Sequence, residues 1–261
     1  MNTAPSQAKA SSPLTNSQGM IAVASGKGGV GKTWFAITLA HALAKKGRKT
    51  LLFDGDLGLA NVDIQLGLMP KHDLGAVVSG RLPLNQAATT YEDGGFDIIA
   101  GRSGSGNLAS ISANRLHTLG DDLLLLSAAY DNLILDLGAG VERTVRNLAN
   151  EVNTVLVITT DEPTALTDAY AFIKLTHMER PNLDIRVVVN MANSTTEGER
   201  TYNTIRKACE GFLKFSPPLA GVIRRDTKVR ETIRNQTSIL VRFPNTEAAT
   251  DVGAIVDKLT G

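Results

Sequence analysis

Cysteine is nearly absent: Cys209 stands alone among 261 residues. One thiol cannot close a disulfide within its own chain, nor hold a thiolate-ligated cluster or a structural zinc, and it points to a reducing compartment. Charge of one sign is also missing. The 27 basic and 26 acidic side chains leave a formal charge of +1, so no global field selects nucleic acid or an acidic surface. No apolar run approaches the roughly 20 residues that span a bilayer, and the N-terminus lacks the apolar core of a secretory signal. A cytoplasmic protein is expected. The four histidines, His41, His72, His117 and His177, are scattered, and no Ser-His-Asp arrangement suggests nucleophilic catalysis.

What the chain does have is a rhythm. Residues 1–18 are small and polar, too poor in apolar side chains to order themselves. They read as a flexible tail ahead of one domain over 19–261. From Met20 onward, apolar runs alternate with helical patterns. Strands are predicted at 20–24, 50–53, 96–100, 133–136, 155–159, 185–190 and 221–223, and helices at 34–44, 61–66, 112–128 and 247–259. Continuous Val/Ile/Leu runs imply parallel strands covered on both faces, joined by right-handed helical crossovers. The expected fold class is α/β: a single doubly wound, mostly parallel sheet with helices on both faces. Ligands of such sheets bind at the carboxyl ends of the strands.

The informative residues lie at those ends. Gly26-Lys27-Gly28-Gly29-Val30-Gly31-Lys32-Thr33 sits between the first strand and the first helix and fits G-x-x-x-x-G-K-[ST], the phosphate-binding loop of nucleoside triphosphatases. Glycines let the backbone wrap a phosphate with its N–H groups inward, and the helix N-terminus adds partial positive charge. Gly28, Gly29, Val30, Gly31 and the following Trp34 are therefore candidate nucleotide contacts. Lys32 should reach the β- and γ-phosphates, and the Thr33 hydroxyl should bind Mg²⁺. Lys27 is not required by the motif and offers a second cation to the transferring phosphoryl group. Asp136 closes the Leu-Ile-Leu run at 133–135. An apolar strand ending in Asp is the second nucleotide motif, which holds Mg²⁺ directly or through water. Asp54 and Asp56 follow the second strand. They read as a pair near the γ-phosphate, one holding the metal's water shell and the other orienting the attacking water.

Lys27 within Lys-Gly-Gly-Val-Gly-Lys-Thr resembles the deviant P-loop of the MinD/ParA family of ATPases. The resemblance runs from about residue 19 to 260 and includes 54–63 (Asp-Gly-Asp-Leu-Gly-Leu-Ala-Asn-Val-Asp), 135–140 and 188–190. The stretches 161–171, 190–194 and 228–236 are similar to the FlhG/FleN branch, ATPases that limit flagellar number and placement. The resemblance implies an ATP-dependent homodimer sandwiching two ATP molecules with Mg²⁺. Lys32 and the loop amides would bind phosphates, Thr33 and Asp136 would serve the metal, Asp56 would position the water, and Lys27 would reach into the partner's site. Asn190 would contact adenine, and the stretch holding Arg224 and Asp226 would close over the base. The activity implied is slow, dimer-dependent hydrolysis of ATP to ADP. It would act as a switch on a flagellar or polar protein partner, with recruitment to the cell pole or the inner membrane face. Two residues depart from the pattern: Arg224 stands where relatives commonly have Pro, and Trp34 where smaller side chains are usual.

The alternative is a partition-type ATPase that binds DNA nonspecifically. Ten Lys and Arg lie between 200 and 242 against three acidic residues, a composition that can contact phosphate backbones. The lone Cys209 argues against metal-cluster work. The last predicted helix carries Val252, Ile255, Val256 and Leu259 on one face and Glu247, Asp251 and Asp257 against one Lys258 on the other. A membrane-surface helix favours Lys and Arg there, so a core-packing helix is expected, with membrane attachment weak or through a partner.

Overall fold

The computed structural model describes residues 19–56, 58–101 and 111–261; the tail expected at 1–18 lies outside the described residues. In chain order the elements are β1 (Met20–Ser25), α1 (Lys32–Lys45), β2 (Thr50–Gly55), α2 (Val62–Leu66), α3 (Leu74–Val78), β3 (Thr89–Tyr91), β4 (Phe96–Ile99), α4 (Ala113–Ser127) and β5 (Asn132–Ala139). Then come α5 (Arg143–Asn150), β6 (Thr154–Thr159), α6 (Pro163–Glu179), β7 (Asp184–Ala192), α7 (Thr195–Leu213), β8 (Leu219–Arg224), α8 (Thr227–Arg234), α9 (Ile239–Arg242) and α10 (Glu247–Thr260).

The strands form one sheet in the order β3-β4-β2-β5-β1-β6-β7-β8. Every pairing is parallel except β3 with β4. The seven expected strands are all present. The eighth, β3, is a three-residue antiparallel edge whose Thr-Thr-Tyr sequence is too short and mixed to show a period. β1 lies between β5 and β6, and the sheet continues outward from it on both sides. The carboxyl end of β1 is therefore the crevice where such sheets take ligands.

Parallel strands covered on both faces need two apolar layers, and alternate residues of β1 feed them. Met20, Ala22 and Ala24 join the layer shared with α4 to α7, where Leu123, Leu148 and Phe172 are buried. Ile21 and Val23 join the layer under α1 and α10, with Phe35, Leu39 and Leu43. Each such side chain contributes roughly 1.5–3 kcal/mol when removed from water. Val252, Ile255 and Val256 of α10 are buried in the same layer, so the apolar stripe of this helix is covered by the domain. No helix among the described residues is long and apolar enough to cross a membrane.

One polar group is locked into the α1 layer. His41 is 4% exposed, its Nδ1 lies 2.7 Å from Ser238 Oγ, and its ring tilts against Phe96. Burial, with a smaller push from Lys45 and against the pull of Asp93, lowers its pKa from 6.5 to about 4. The unfolded chain thus binds this proton more readily than the folded one. The stabilisation from neutral His41 is complete above about pH 6.5 and is lost as pH falls towards 4. Between pH 7 and pH 5 it should remove about 2 kcal/mol of unfolding free energy. Denaturant titrations at the two pH values should show that difference in the wild type and a smaller one in His41→Gln. Equal differences in both proteins would place the pH sensitivity elsewhere.

Candidate functional site

β1 ends at Ser25 and α1 begins at Lys32, so the loop between them carries the glycines. Gly29 and Gly31 adopt φ of 81° and 86°, a left-handed conformation costly for residues with a Cβ. The glycines divide by task. A Cβ built on Gly26 would lie 2.1 Å from the Asp168 backbone, and one on Gly31 would lie 2.4 Å from Asn190 Nδ2. Those two glycines let the loop sit tightly on the protein. A Cβ on Gly28 or Gly29 meets no protein atom within 4 Å, so this side of the loop faces open space. No side chain caps α1, which leaves its first N–H groups to be met by a ligand.

A cavity of about 660 Å³ opens over this loop. It is lined by Gly28, Gly29, Gly31, Lys27, Lys32, Thr33, Trp34, Asp56, Asn190, Arg224 and Asp226, so most of the expected site residues come together. Val30 is buried beneath the loop, with its carbonyl accepting from Asn190 Nδ2 at 2.8 Å. Trp34 is 5% exposed, and its indole N–H has no hydrogen-bond partner among the described residues.

The charges behind the loop are buried. Lys32 Nζ donates to Asp136 Oδ1 at 2.6 Å, with both side chains almost fully enclosed. Burial raises the Asp136 pKa, and the Lys32 ammonium opposes that rise. Asp54 is pushed up to about 7 by burial and by the Asp136 charge, against backbone N–H bonds and Lys32. Asp54 does not line the cavity. Its Oδ1 accepts from Asp56 N at 3.3 Å, and its Oδ2 accepts from Asn61 N at 3.0 Å and Val62 N at 3.1 Å. Its carboxylate ties down the loop that follows β2. Asp56, on that loop, does face the cavity; its Oδ1 accepts from Gly58 N and Leu59 N.

Four sets of contacts could not be read from the sequence because they join residues remote along the chain. Lys27 Nζ donates to Glu162 Oε1 at 2.6 Å and to Thr164 Oγ1 at 2.7 Å, at the start of α6. The Lys27 hydrogen bond holds the Glu162 carboxyl below its usual range. Arg224, noted above as a departure from the family pattern, is clamped to α10. Its Nε and Nη2 donate to the two oxygens of Asp251, and its Nη1 donates to Glu247. Asp226 caps α8 through Lys228 N and also accepts from Ala248 N. The fourth is the bond from Asn190 to Val30.

The basic run between 200 and 242 is partly neutralised. Arg206 pairs with Glu210, Arg224 with Asp251 and Glu247, and Lys228 and Arg242 with Glu231. Pairing of this kind weakens the case for a DNA-binding face, which needs uncompensated cations.

A glycine cradle open on the ligand side, an uncapped helix start and a buried lysine together describe a phosphate site, and the family comparison agrees. Residues 21–239 match the CobQ/CobB/MinD/ParA nucleotide-binding domain. The chain belongs to this family. As a MinD/ParA-type nucleotide-binding domain it is 37% identical to the antiactivator FleN of Pseudomonas aeruginosa over 240 residues, 92% of this chain and 85% of that protein. It is 33% identical to the flagellum site-determining protein YlxH of Helicobacter pylori, covering 86% of this chain and 76% of that one. Its fold is that of the septum site-determining protein MinD of Pyrococcus horikoshii, solved as a complex with Mg-ADP. The TM-score is 0.79 at 23% identity, covering 93% of this chain and 96% of that one.

Asp54→Ala should leave the amides of Asp56, Asn61 and Val62 without their acceptor, a loss of roughly 1–3 kcal/mol for a buried donor. Hydrogen exchange at these amides should quicken about tenfold or more. In Asp54→Asn, which keeps one acceptor oxygen, it should quicken less. Unchanged exchange in the alanine variant would show that the loop is held by other contacts.

Proposed function

We propose that this MinD/ParA-type protein is an ATP-dependent dimerising switch that hydrolyses ATP to ADP and regulates flagellar number or placement through a protein partner in the cytoplasm. The carrying observation is the position of Lys27. It stands at the rim of an otherwise complete phosphate cavity, latched to exposed Glu162 and Thr164 rather than to the buried Lys32–Asp136 pair. A solvent-screened pair is a weak latch, so Lys27 is free to serve a neighbouring site. Similarity to FleN and YlxH supports the flagellar reading.

The residues divide the work. Loop amides and Lys32 bind the phosphates. Thr33 and Asp136 hold Mg²⁺, which supplies the positive charge that neutralises the phosphates. Asp54 anchors the loop that presents Asp56, and Asp56 orients the attacking water. Arg224 and Asp226, with Asn190, form the base end of the site, and Trp34 forms part of the wall. The site fits Mg²⁺-nucleotide because its inner glycines leave space and its floor already pairs an ammonium with a carboxylate. Lys27 from a second subunit completes the charge around the transferring phosphoryl group. Cations supplied in this way are worth on the order of 10³–10⁵ in rate where they have been measured. Turnover then depends on dimerisation, and ATP acts as a clamp between subunits. The buried stripe of α10 supports membrane recruitment through a partner rather than through this helix.

Lys27→Ala should still bind ATP but remain monomeric by light scattering and lose about 10³-fold or more of its phosphate release. Asp56→Ala should accumulate an ATP-bound dimer with little turnover. Wild-type turnover by the Lys27→Ala protein would remove the trans role, and an Asp56→Ala protein that stays monomeric with ATP would remove the water-positioning role.

A further inference from the structure

We infer that Asn190 is a positioning residue for the phosphate loop: it splints the loop to the end of β7, so that affinity for phosphate itself depends on this amide. The base contact assigned to Asn190 above concerns a different part of the ligand, and this inference rests only on the nucleotide-binding character of the site.

Four observations meet at this point. Asn190 is 4% exposed, and its Nδ2 donates to the carbonyl of Val30, the residue between two loop glycines, at 2.8 Å. Its Oδ1 accepts from Met191 N at 2.9 Å. Both ends of the amide are therefore committed to protein. Met191 adopts φ of 58°, a left-handed conformation that costs a non-glycine residue roughly 1–2 kcal/mol. The side-chain bond to its N–H helps hold that turn. Pairing between β7 and β8 also shifts register between Val189 and Ala192. An irregularity of this kind re-aims a side chain near a site. Asn190 thus lies within the irregular stretch of the strand. On the loop side, Gly31 has no Cβ, and one would lie 2.4 Å from Asn190 Nδ2. Gly31 allows the close seat, and Asn190 fills it.

The contact goes to a backbone carbonyl of the loop, as a splint requires. The Val30 carbonyl is buried, and a buried acceptor without a donor is costly. The Val30 carbonyl shares one planar peptide with the N–H of Gly31, so fixing that carbonyl fixes the direction of a loop N–H. A loop held before ligand arrives loses less conformational freedom on binding. Phosphate affinity should therefore fall when the splint is removed, with or without a base on the ligand.

The test uses inorganic tripolyphosphate, which has no base, beside ATP, both with Mg²⁺, by calorimetry well below each protein's melting temperature. Asn190→Ala should weaken tripolyphosphate about tenfold, for one lost hydrogen bond, and ATP by at least as much, any excess belonging to the base contact. Asn190→Ser, a milder change, should weaken both less. If ATP weakens while tripolyphosphate does not, Asn190 reads only the base and the splint is refuted. If melting falls while both affinities hold, the residue is merely structural and the inference is likewise refuted. Should neither variant fold, the unaltered protein decides by NMR. Without ligand, one Asn190 side-chain amide proton should exchange slowly and show contacts to the Val30–Gly31 backbone. A freely exchanging amide would overturn the proposal. Complete loss of binding to both ligands by the wild type would instead refute the nucleotide site.

Discussion

A lysine ammonium enclosed by protein must find a carboxylate, and the organisation of this site follows from that need. Lys32 opens α1, and Asp136 lies in β5, where it is in register with Val23 of β1 and Asp54 of β2. The 2.6 Å contact therefore ties the first turn of a helix to three adjacent strands. Removing one partner of such a pair leaves an unmatched buried charge, at a cost of roughly 3–5 kcal/mol. The pair also sets the problem that Asp54 solves. A second carboxylate in register with Asp136 would face it without a cation of its own. Its charge is instead spread over three backbone N–H groups. Those same bonds position the loop that carries Asp56.

The sheet and the glycine loop were legible in the sequence because each rests on a local pattern. Continuous apolar runs, here of three to six residues, are what a doubly covered parallel strand requires, and every one was found as a strand. The exception, β3, draws its stability from pairing with β4 and from the burial of Tyr91 rather than from its own composition. The carboxylates show where local pattern stops. Asp54 and Asp136 both follow apolar runs and look alike in the sequence. They differ only in what surrounds them: one meets an ammonium, the other a row of amides. Lys27 was legible as an extra cation, but its resting partner Glu162 lies 135 residues away and no spacing rule connects them.

Charge clusters were the least legible feature. The basic run between 200 and 242 suggested one cationic surface, yet four of its ten members, Arg206, Arg224, Lys228 and Arg242, find acids on α7, α8 and α10. Arg224 illustrates the reason. Its partners Asp251 and Glu247 gave the last helix its acidic look, so the two charge patterns are halves of one clamp. The clamp joins α10 to the loop at 224–226, and the buried stripe of α10 packs on the same side of the sheet as α1. A helix fixed on both its polar and its apolar sides has a structural task in this domain.

The contacts around the cavity separate into fixed and movable sets. The phosphate loop is fixed from the side by the buried Asn190–Val30 bond, and before ligand arrives Lys32 and Asp136 satisfy each other's charge beneath it. Lys27 is held by a partly exposed pair, and Asp56 rides on a loop held by single hydrogen bonds to one carboxylate. A buried contact is exchanged for another only at high cost, whereas an exposed pair has water as a ready substitute. Under the proposed switch this division has a direct use. The part that must recognise phosphate whenever it arrives is rigid. The two groups that decide whether hydrolysis proceeds, Lys27 and Asp56, are the ones whose restraints a second subunit could exchange for its own.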